Sequence, residues 1–147
     1  MRRISGSAFI PAPPSEVYAF LSEPANLPRW QTGVVSSVRT SPPPTEAGST
    51  GRVVIEVMGQ RVTADTTVRE AVKDRRLVIA TSASGMSLVG TLDLAPAEGG
   101  TRLSFSSEVK AQNLFMAALE GMVADVAERD LDASLARLQA VLAAGEG

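Results

Sequence analysis

The 147-residue sequence contains no histidine and no cysteine. Without histidine, the chain lacks the usual general base near neutral pH and the ligand of most metal sites, and it cannot form a Ser-His-Asp or Cys-His arrangement. Without cysteine, it has neither disulfides nor a thiolate nucleophile, which fits a reducing compartment. The two absences together exclude many common hydrolytic mechanisms.

Other signals are also missing. Residues 1–14, MRRISGSAFIPAPP, hold no long apolar core, so we predict no signal peptide. No apolar run is long enough to span a bilayer. The net charge of −2 is spread over scattered residues, so neither nucleic acid nor an anionic membrane is an expected partner. Neither a glycine-rich phosphate loop nor a metal-ligating carboxylate cluster is present, so we predict no cofactor and no metal. Because the sequence shows neither a signal peptide nor a membrane span, we predict a cytoplasmic protein.

What remains is the composition of an ordinary globular domain with few aromatics. Apolar residues make up 44% of the chain, charged residues 20% and aromatic residues 4%. A chain of this length is sufficient for one hydrophobic core, so we predict one domain over residues 1–147.

The last quarter of the sequence, roughly Ala111 to Ala144, predicts one long helix. It has no proline, a single glycine and many strong helix formers. Two apolar stripes with helical spacing lie on nearly opposite sides of it. The second stripe can lie on a sheet, whereas the first must be covered by another element, line a cavity or meet a partner chain. The first stripe is Phe115, Leu119, Met122 and Val126; the second is Leu131, Leu135, Leu138 and Leu142.

The preceding residues predict a strand, two short helices and about six antiparallel strands. Residues 3–10 alternate and stop at Pro11, a helix follows around residues 14–23, and a second short helix carries Trp30. Two later hairpins are predicted to turn at Gly59-Gln60 and at residues 98–100. The predicted fold class is therefore α+β, with a curved antiparallel sheet of about seven strands around the C-terminal helix. Because a straight helix touches a curled sheet along part of its length, we expect a hollow between them.

The segment IPAPPSEVYAFLSEPANLPRW, the later GRVVIEV and TVREAVKDRRLVI stretches, and the C-terminal amphipathic helix together resemble the START-like, helix-grip (SRPBCC) superfamily. Within it, the sequence is most similar to bacterial polyketide cyclase/dehydrase-like proteins. The resemblance covers essentially the whole chain and implies the helix-grip fold with a ligand-binding cavity. It does not select one activity, because the fold carries both binders and enzymes.

An apolar set on the helix and the sheet is the main candidate for a cavity lining. Methionine adapts to ligands of variable shape, and small alanines fill volume poorly. The alternative is that these side chains close on one another as dry core. The predicted ligand-binding residues are Trp30, Ile55, Val57, Thr66, Leu88, Phe105, Phe115, Leu119, Met122 and Val126.

Polar candidates each have a structural alternative. Asp125 would act as an acid or base if it faced the cavity, but a solvent-facing charge is the favoured interpretation. Tyr18 could hydrogen-bond a ligand, or simply lie on a surface helix. Trp30 could stack on a ligand or belong to the core. Arg29 could pair with an acidic ligand or be solvated, and the hydroxyl of Thr66 needs a partner in either case.

Three functions follow from these features. The first is binding, and possible transport, of a small hydrophobic or aromatic molecule such as a lipid or polyketide-like compound. The second is a polyketide aromatase/cyclase or dehydratase that uses the same cavity, with catalytic roles for Asp125 or Tyr18. The third is a protein interaction module in which the first helix stripe pairs with another chain, such as a homodimer.

Overall fold

A computed structural model describes residues 2–57, 59–83, 85–111 and 120–143, and leaves the side chains at positions 2, 57, 120 and 123 undescribed. It contains seven strands, and within the described ranges the helices are three α-helices and a short 3₁₀ turn, Pro24–Asn26. The strands are β1 (Arg2–Ile10), β2 (Val34–Arg39), β3 (Thr50–Val57), β4 (Gln60–Val72), β5 (Arg76–Ala83), β6 (Met86–Ala97) and β7 (Gly100–Ala111); the helices are α1 (Pro14–Leu21), α2 (Leu27–Trp30) and α3 (Glu120–Ala143).

All seven strands form one antiparallel sheet in the order β1-β7-β6-β5-β4-β3-β2. The chain runs through β2 to β7 as a meander, and β1 closes onto β7 at the opposite edge. The α+β helix-grip prediction is confirmed, with the short helices between the first two strands. The hairpin turn between β3 and β4 comes one residue earlier than predicted, because Gln60 already pairs with Val57.

The concave face of the sheet carries the core. The leucine stripe of α3 lies on this face across β1 and β7, and the δ-methyl of Leu131 approaches the backbone of Gly6. Full burial of one leucine side chain stabilises a fold by about 1.5–3 kcal/mol, so this stripe is a large part of what holds the helix. The buried leucines of the helix are Leu131, Leu135, Leu138 and Leu142.

The helix predicted from roughly Ala111 does not include Ala111 itself, because Ala111 is the last residue of β7 and pairs with Met86. The β-hairpin of β6 and β7 extends further than the sequence pattern indicates. Two residues of the first apolar stripe, Phe115 and Leu119, lie outside the described residues. The predicted opposition of the two stripes is confirmed where it is described, since the side chain of Met122 is 50% exposed.

Helix α3 also fixes the position of the short helices. The buried hydroxyl of Ser134 accepts a hydrogen bond from the backbone N–H of Thr32 at 2.8 Å. The guanidinium of Arg137 donates to the carbonyl oxygens of Pro28 and Arg29, at 3.3 and 3.4 Å. These contacts hold α2 and the turn into β2 against the helix. No helix of the described chain is long and apolar enough to cross a membrane.

Candidate functional site

A pocket of about 70 Å³ lies on the concave face, between strands β2 to β5 and the chain that leads from α1 into α2. No described residue of α3 is among its lining residues. The pocket therefore occupies a part of the concave face that residues 120–143 of the long helix do not fill. It is lined by Leu21, Ser22, Glu23, Pro24, Leu27, Ser37, Arg39, Thr45, Ser49, Thr50, Gly51, Val53, Thr66, Val68, Leu77 and Ile79.

Register explains why these side chains meet. Val53 pairs with Ala64, Gly51 with Thr66, and Thr66 in turn with Thr81, so residues with the same alternation point to one face on successive strands. The alternating apolar residues of β3 and β4, such as Val53 and Ala64, lie on this face. Its floor is aliphatic, and its most enclosed side chain is Leu77, which has no exposed surface.

The segment before β3 forms one wall of the pocket by pairing with β4. The N–H of Gly48 donates to the carbonyl of Val68 at 2.7 Å, and the N–H of Val68 donates to the carbonyl of Ser49 at 2.8 Å. The hydroxyl of Thr45 donates to the carbonyl of Ser22 at 2.6 Å, which ties this segment to the end of α1. Two hydrogen bonds therefore hold the wall to β4, and a third holds it to the end of α1.

Two charged side chains lie in the pocket wall. Arg39 is at the end of β2, and its side chain is 17% exposed, whereas that of Glu23 is 49% exposed. The Nη2 atom of Arg39 lies 3.5 Å from Oε2 of Glu23. The other carboxylate oxygen of Glu23 accepts from the N–H of Ala25 at 3.3 Å, at the start of the 3₁₀ turn. The pocket therefore combines an aliphatic floor with one ion pair and several hydroxyls.

Among the predicted ligand-binding residues, Thr66 lies in the pocket lining. Phe105 packs against the main core cluster, and Trp30 is buried within that cluster with 3% exposure. Ile55 and Leu88 are half-buried on the concave face and do not reach the pocket. Of the predicted sheet residues whose side chains are described, Thr66 therefore lines the pocket, whereas Ile55, Leu88 and Phe105 do not.

The predicted residues of the long helix are placed differently. Met122 and Asp125 lie on the exposed side of α3, and Val126 is half-buried. Asp125 is exposed, which agrees with the interpretation of this residue as a solvent-facing charge. The side chain of Val57, like Phe115 and Leu119, is outside the described residues, so the predicted lining from these positions stays a prediction.

Tyr18 lies on α1, half-buried against the core cluster and outside the pocket lining. Burial, and to a smaller extent the negative charge of Asp74, raises the pKa of Tyr18 above its ordinary value of 10.0. The hydroxyl is therefore protonated at neutral pH. Arg29 is exposed, with its guanidinium 5.2 Å above the ring of Phe20 and Nη1 donating to Asn26 at 3.1 Å.

Sequence reasoning did not predict the charged and hydroxyl-bearing side chains that other elements contribute to the pocket, such as Glu23, Arg39 and Thr45. Glu23 and Arg39 come from different elements, and their approach depends on how the 3₁₀ turn folds over β2. The alternation of β2 could have placed Ser37 and Arg39 on one face, because they are two residues apart. Within the described residues, no group of three or more Asp or Glu side chains is arranged to hold a metal ion.

A second, more open depression of about 350 Å³ lies on the convex face of the sheet. Small polar side chains of β1 and β7, with Asp93 of β6, form its surface. It lacks the apolar enclosure that ligand sites usually have, so the concave pocket is the better candidate.

Several solved structures share this architecture of a curved sheet gripping a C-terminal helix. A protein of Thermus thermophilus matches with a TM-score of 0.81 at 20% identity, covering 99% of this chain and 100% of its own. A Rhodobacter sphaeroides protein gives 0.74 at 24% identity, with 97% and 93% covered. A START superfamily protein of Mycobacterium smegmatis gives 0.73 at 13% identity, with 95% and 98% covered. At these identities, the likeness shows the fold alone.

The fold, together with a family match over residues 1–143, places the chain among START-like, helix-grip proteins. The family described as polyketide cyclase/dehydrase and lipid transport matches residues 1–143, and the chain belongs to it. None of the curated proteins compared with this chain matches it. The family description covers both binding and catalysis, so the choice between them depends on the pocket itself.

Proposed function

We propose that this protein binds a small, largely apolar molecule in the concave pocket. The observation that carries the proposal is open space above an aliphatic floor, beside the packed core cluster. Val53, Val68 and Ile79 supply this floor on three successive strands. The family to which the chain belongs includes lipid transport in its description, which supports the same class of ligand.

The volume limits the ligand. An apolar cavity of about 150 Å³ accommodates benzene, so a space of about 70 Å³ holds a group smaller than an aromatic ring unless the wall moves. A bound aliphatic group gains dispersion contacts with the floor that the free protein lacks.

Binding without chemistry is the function that the pocket supports best. A cyclase or dehydratase needs a proton donor or acceptor beside the ligand, and Tyr18 and Asp125 are not among the lining residues. The carboxylate of Glu23 does line the pocket, but it is engaged by Arg39 and by the N–H of Ala25. The cytoplasmic location, the homodimer, and the exclusion of nucleic acid as a partner stay predictions from the sequence. Transport would require release of the ligand to a second carrier or membrane, which is a further property of the same pocket.

The isoleucines of the chain provide an internal test. Ile79 lines the pocket, whereas Ile10 is fully buried in the core cluster that includes the leucines of α3. With isoleucine δ1-methyl groups labelled with ¹³C, titration with 1-butanol or isobutane-saturated buffer should shift the methyl resonance of Ile79 and leave that of Ile10 unchanged. An unshifted Ile79 resonance at saturating probe would contradict the proposal.

A matched pair of variants on β2 sharpens the test. Ser37 faces the pocket and Ser36 is exposed on the other face of the strand. Ser37→Leu should fill the space and weaken binding of 1-butanol at least fivefold, since the aliphatic floor then contacts the new side chain. Ser36→Leu adds the same side chain outside the pocket and should leave the affinity unchanged. Equal affinities in the two variants would place the probe elsewhere.

A further inference from the structure

Arg39 is an unusual component for an apolar pocket. Its side chain is 17% exposed, and it lies among the lining residues above an aliphatic floor. A guanidinium stays charged in proteins and has five N–H donors, so burial is costly unless hydrogen-bond acceptors surround it. No nitrogen of Arg39 is among the buried side-chain atoms that lack a partner, so the donors that Glu23 does not use stay accessible.

Glu23 accepts a hydrogen bond from only one of the donors of Arg39. Within the described part of the chain, one contact of 3.5 Å joins Nη2 of Arg39 to Oε2 of Glu23. Strong guanidinium–carboxylate contacts are about 2.7–2.9 Å long and often bidentate. The Glu23 side chain is about half exposed and its carboxylate also caps the 3₁₀ turn through Ala25. The pair is therefore a long, single contact at the edge of the pocket.

The cross-strand register places a hydroxyl on the other side of a glycine from Arg39. Arg39 pairs with Gly51 on β3, and Gly51 pairs with Thr66 on β4. Gly51 contributes no side chain between its two neighbours. The Oγ1 atom of Thr66 leans over this glycine, since it lies 2.8 Å from where a Cβ at Gly51 would be. A cation and a hydroxyl donor thus flank one short stretch of bare backbone.

From this arrangement we propose that the ligand is a small monocarboxylate, with its carboxylate bound by Arg39 and Thr66 and its aliphatic part on the floor formed by Val68 and Ile79. The inference rests on the proposed function of the same pocket and names the chemical class of its ligand. The volume of about 70 Å³ suits an acid with a short chain. The carboxylate of Glu23 occupies Arg39 in the free protein, and the carboxylate of the ligand replaces it.

This exchange predicts opposite effects for the two members of the ion pair. Arg39→Gln removes the cation that the ligand carboxylate needs, whereas Glu23→Gln removes the carboxylate that competes with it. If the pair served only to attach the 3₁₀ turn to β2, the two variants would instead lower stability alike and leave the preference for an anion unchanged. The signs of the two effects on affinity therefore separate the two roles.

The test compares butanoate with butanamide, which has a similar shape and no charge, using the Ile79 methyl resonance at constant ionic strength. Wild-type protein should bind butanoate at least tenfold more tightly than butanamide, as expected for hydrogen bonds to a charged group. Arg39→Gln should abolish this preference, and Glu23→Gln should increase it. Arg39→Lys keeps the charge without the planar fork and should give an intermediate preference. An unchanged Ile10 resonance confirms that each variant is folded.

The possible failures are distinguishable. If butanamide and butanoate bind equally and Arg39→Gln affects neither, the carboxylate proposal is overturned while the apolar pocket remains. If Arg39→Gln weakens both probes by the same factor, Arg39 acts through packing and the proposal is likewise overturned. If neither probe shifts Ile79 in any variant, the proposed binding function itself is wrong.

Discussion

The two halves of the concave face differ in what covers them. Over β1 and β7, the leucine stripe of α3 packs directly on the sheet, and residues such as Leu103 and Leu138 have no exposed surface. Over β3 and β4, the described elements that lie above the sheet are the 3₁₀ turn and the end of α1, and a pocket lies beneath them. One half is a conventional core, whereas the other is a shallow apolar chamber with an ion pair in its wall.

The difference follows from the shapes of the two kinds of cover. A long helix presents one continuous apolar stripe, so it can fill only the strip of a curved sheet that lies along its axis. Short helices and turns cover the remainder less completely, because each offers few side chains and must also satisfy its own backbone ends. We therefore expect the half under the leucine stripe to contribute most of the stability, and the other half contains the proposed ligand pocket.

The largest expected effect comes from shortening one apolar side chain in each half of the concave face. Leu138→Ala removes a side chain with no exposed surface from the packed half and should lower the free energy of unfolding by about 2–5 kcal/mol. Val68→Ala removes two methyl groups from a half-buried pocket position, where the expected loss is about 1 kcal/mol. Urea denaturation of both variants measures the difference. Equal losses would show that the two halves are packed alike.

A second test uses two glycines on the concave face. A Cβ at Gly51 would lie 2.9 Å from the backbone carbonyl oxygen of Val38, which cannot rotate away, so Gly51→Ala should destabilise the protein by about 1–3 kcal/mol. A Cβ at Gly90 would lie 3.7 Å from the ring of Phe105, an ordinary contact. Gly90→Ala should therefore be neutral or stabilise by up to about 1 kcal/mol. Thermal or urea unfolding of the pair would contradict this account if Gly90→Ala were the more damaging change.

Much of the packed half could be predicted from the sequence. The spacing of Leu131, Leu135, Leu138 and Leu142 identifies the seated face of the helix, and strict alternation identifies the buried face of the long strands. These patterns are local and repeat several times, so single exceptions do not obscure them. Ala111 was assigned to the helix because alanine is a strong helix former, whereas its pairing with Met86 places it in β7.

The pocket half was less accessible to sequence reasoning. Thr66 was found because it interrupts an apolar alternation, which is a local signal. The contact between Glu23 and Arg39 depends on a turn folding over an edge strand. The alternation of β2 could have placed Arg39 on the pocket face, but no sequence pattern pairs it with Glu23. Met122 was predicted to line a hollow because its stripe is apolar, yet the rotation of the helix that seats the leucines turns Met122 outward. The placement of a side chain on an irregular segment is a tertiary property.

The smallest expected effect concerns Tyr18, which packs beside the core and not in the pocket. It is the only tyrosine in the sequence, so ultraviolet absorbance follows its ionisation directly. Because burial and Asp74 raise the pKa of Tyr18 in the folded state, the midpoint should exceed 10.0. The raised pKa means that the folded state holds this proton more tightly than the unfolded chain. Its contribution to stability is therefore complete below about pH 10 and is lost as the pH rises through the folded-state pKa.

Tyr18→Phe should accordingly lose less stability than wild type when the pH is raised past about 10. Saturating butanoate should leave the Tyr18 midpoint unchanged, since the hydroxyl does not line the pocket. A midpoint at or below 10.0 in the free protein would contradict the burial of this side chain. A midpoint that moves with butanoate would extend the ligand site into the packed half, and the division between the two halves would no longer hold.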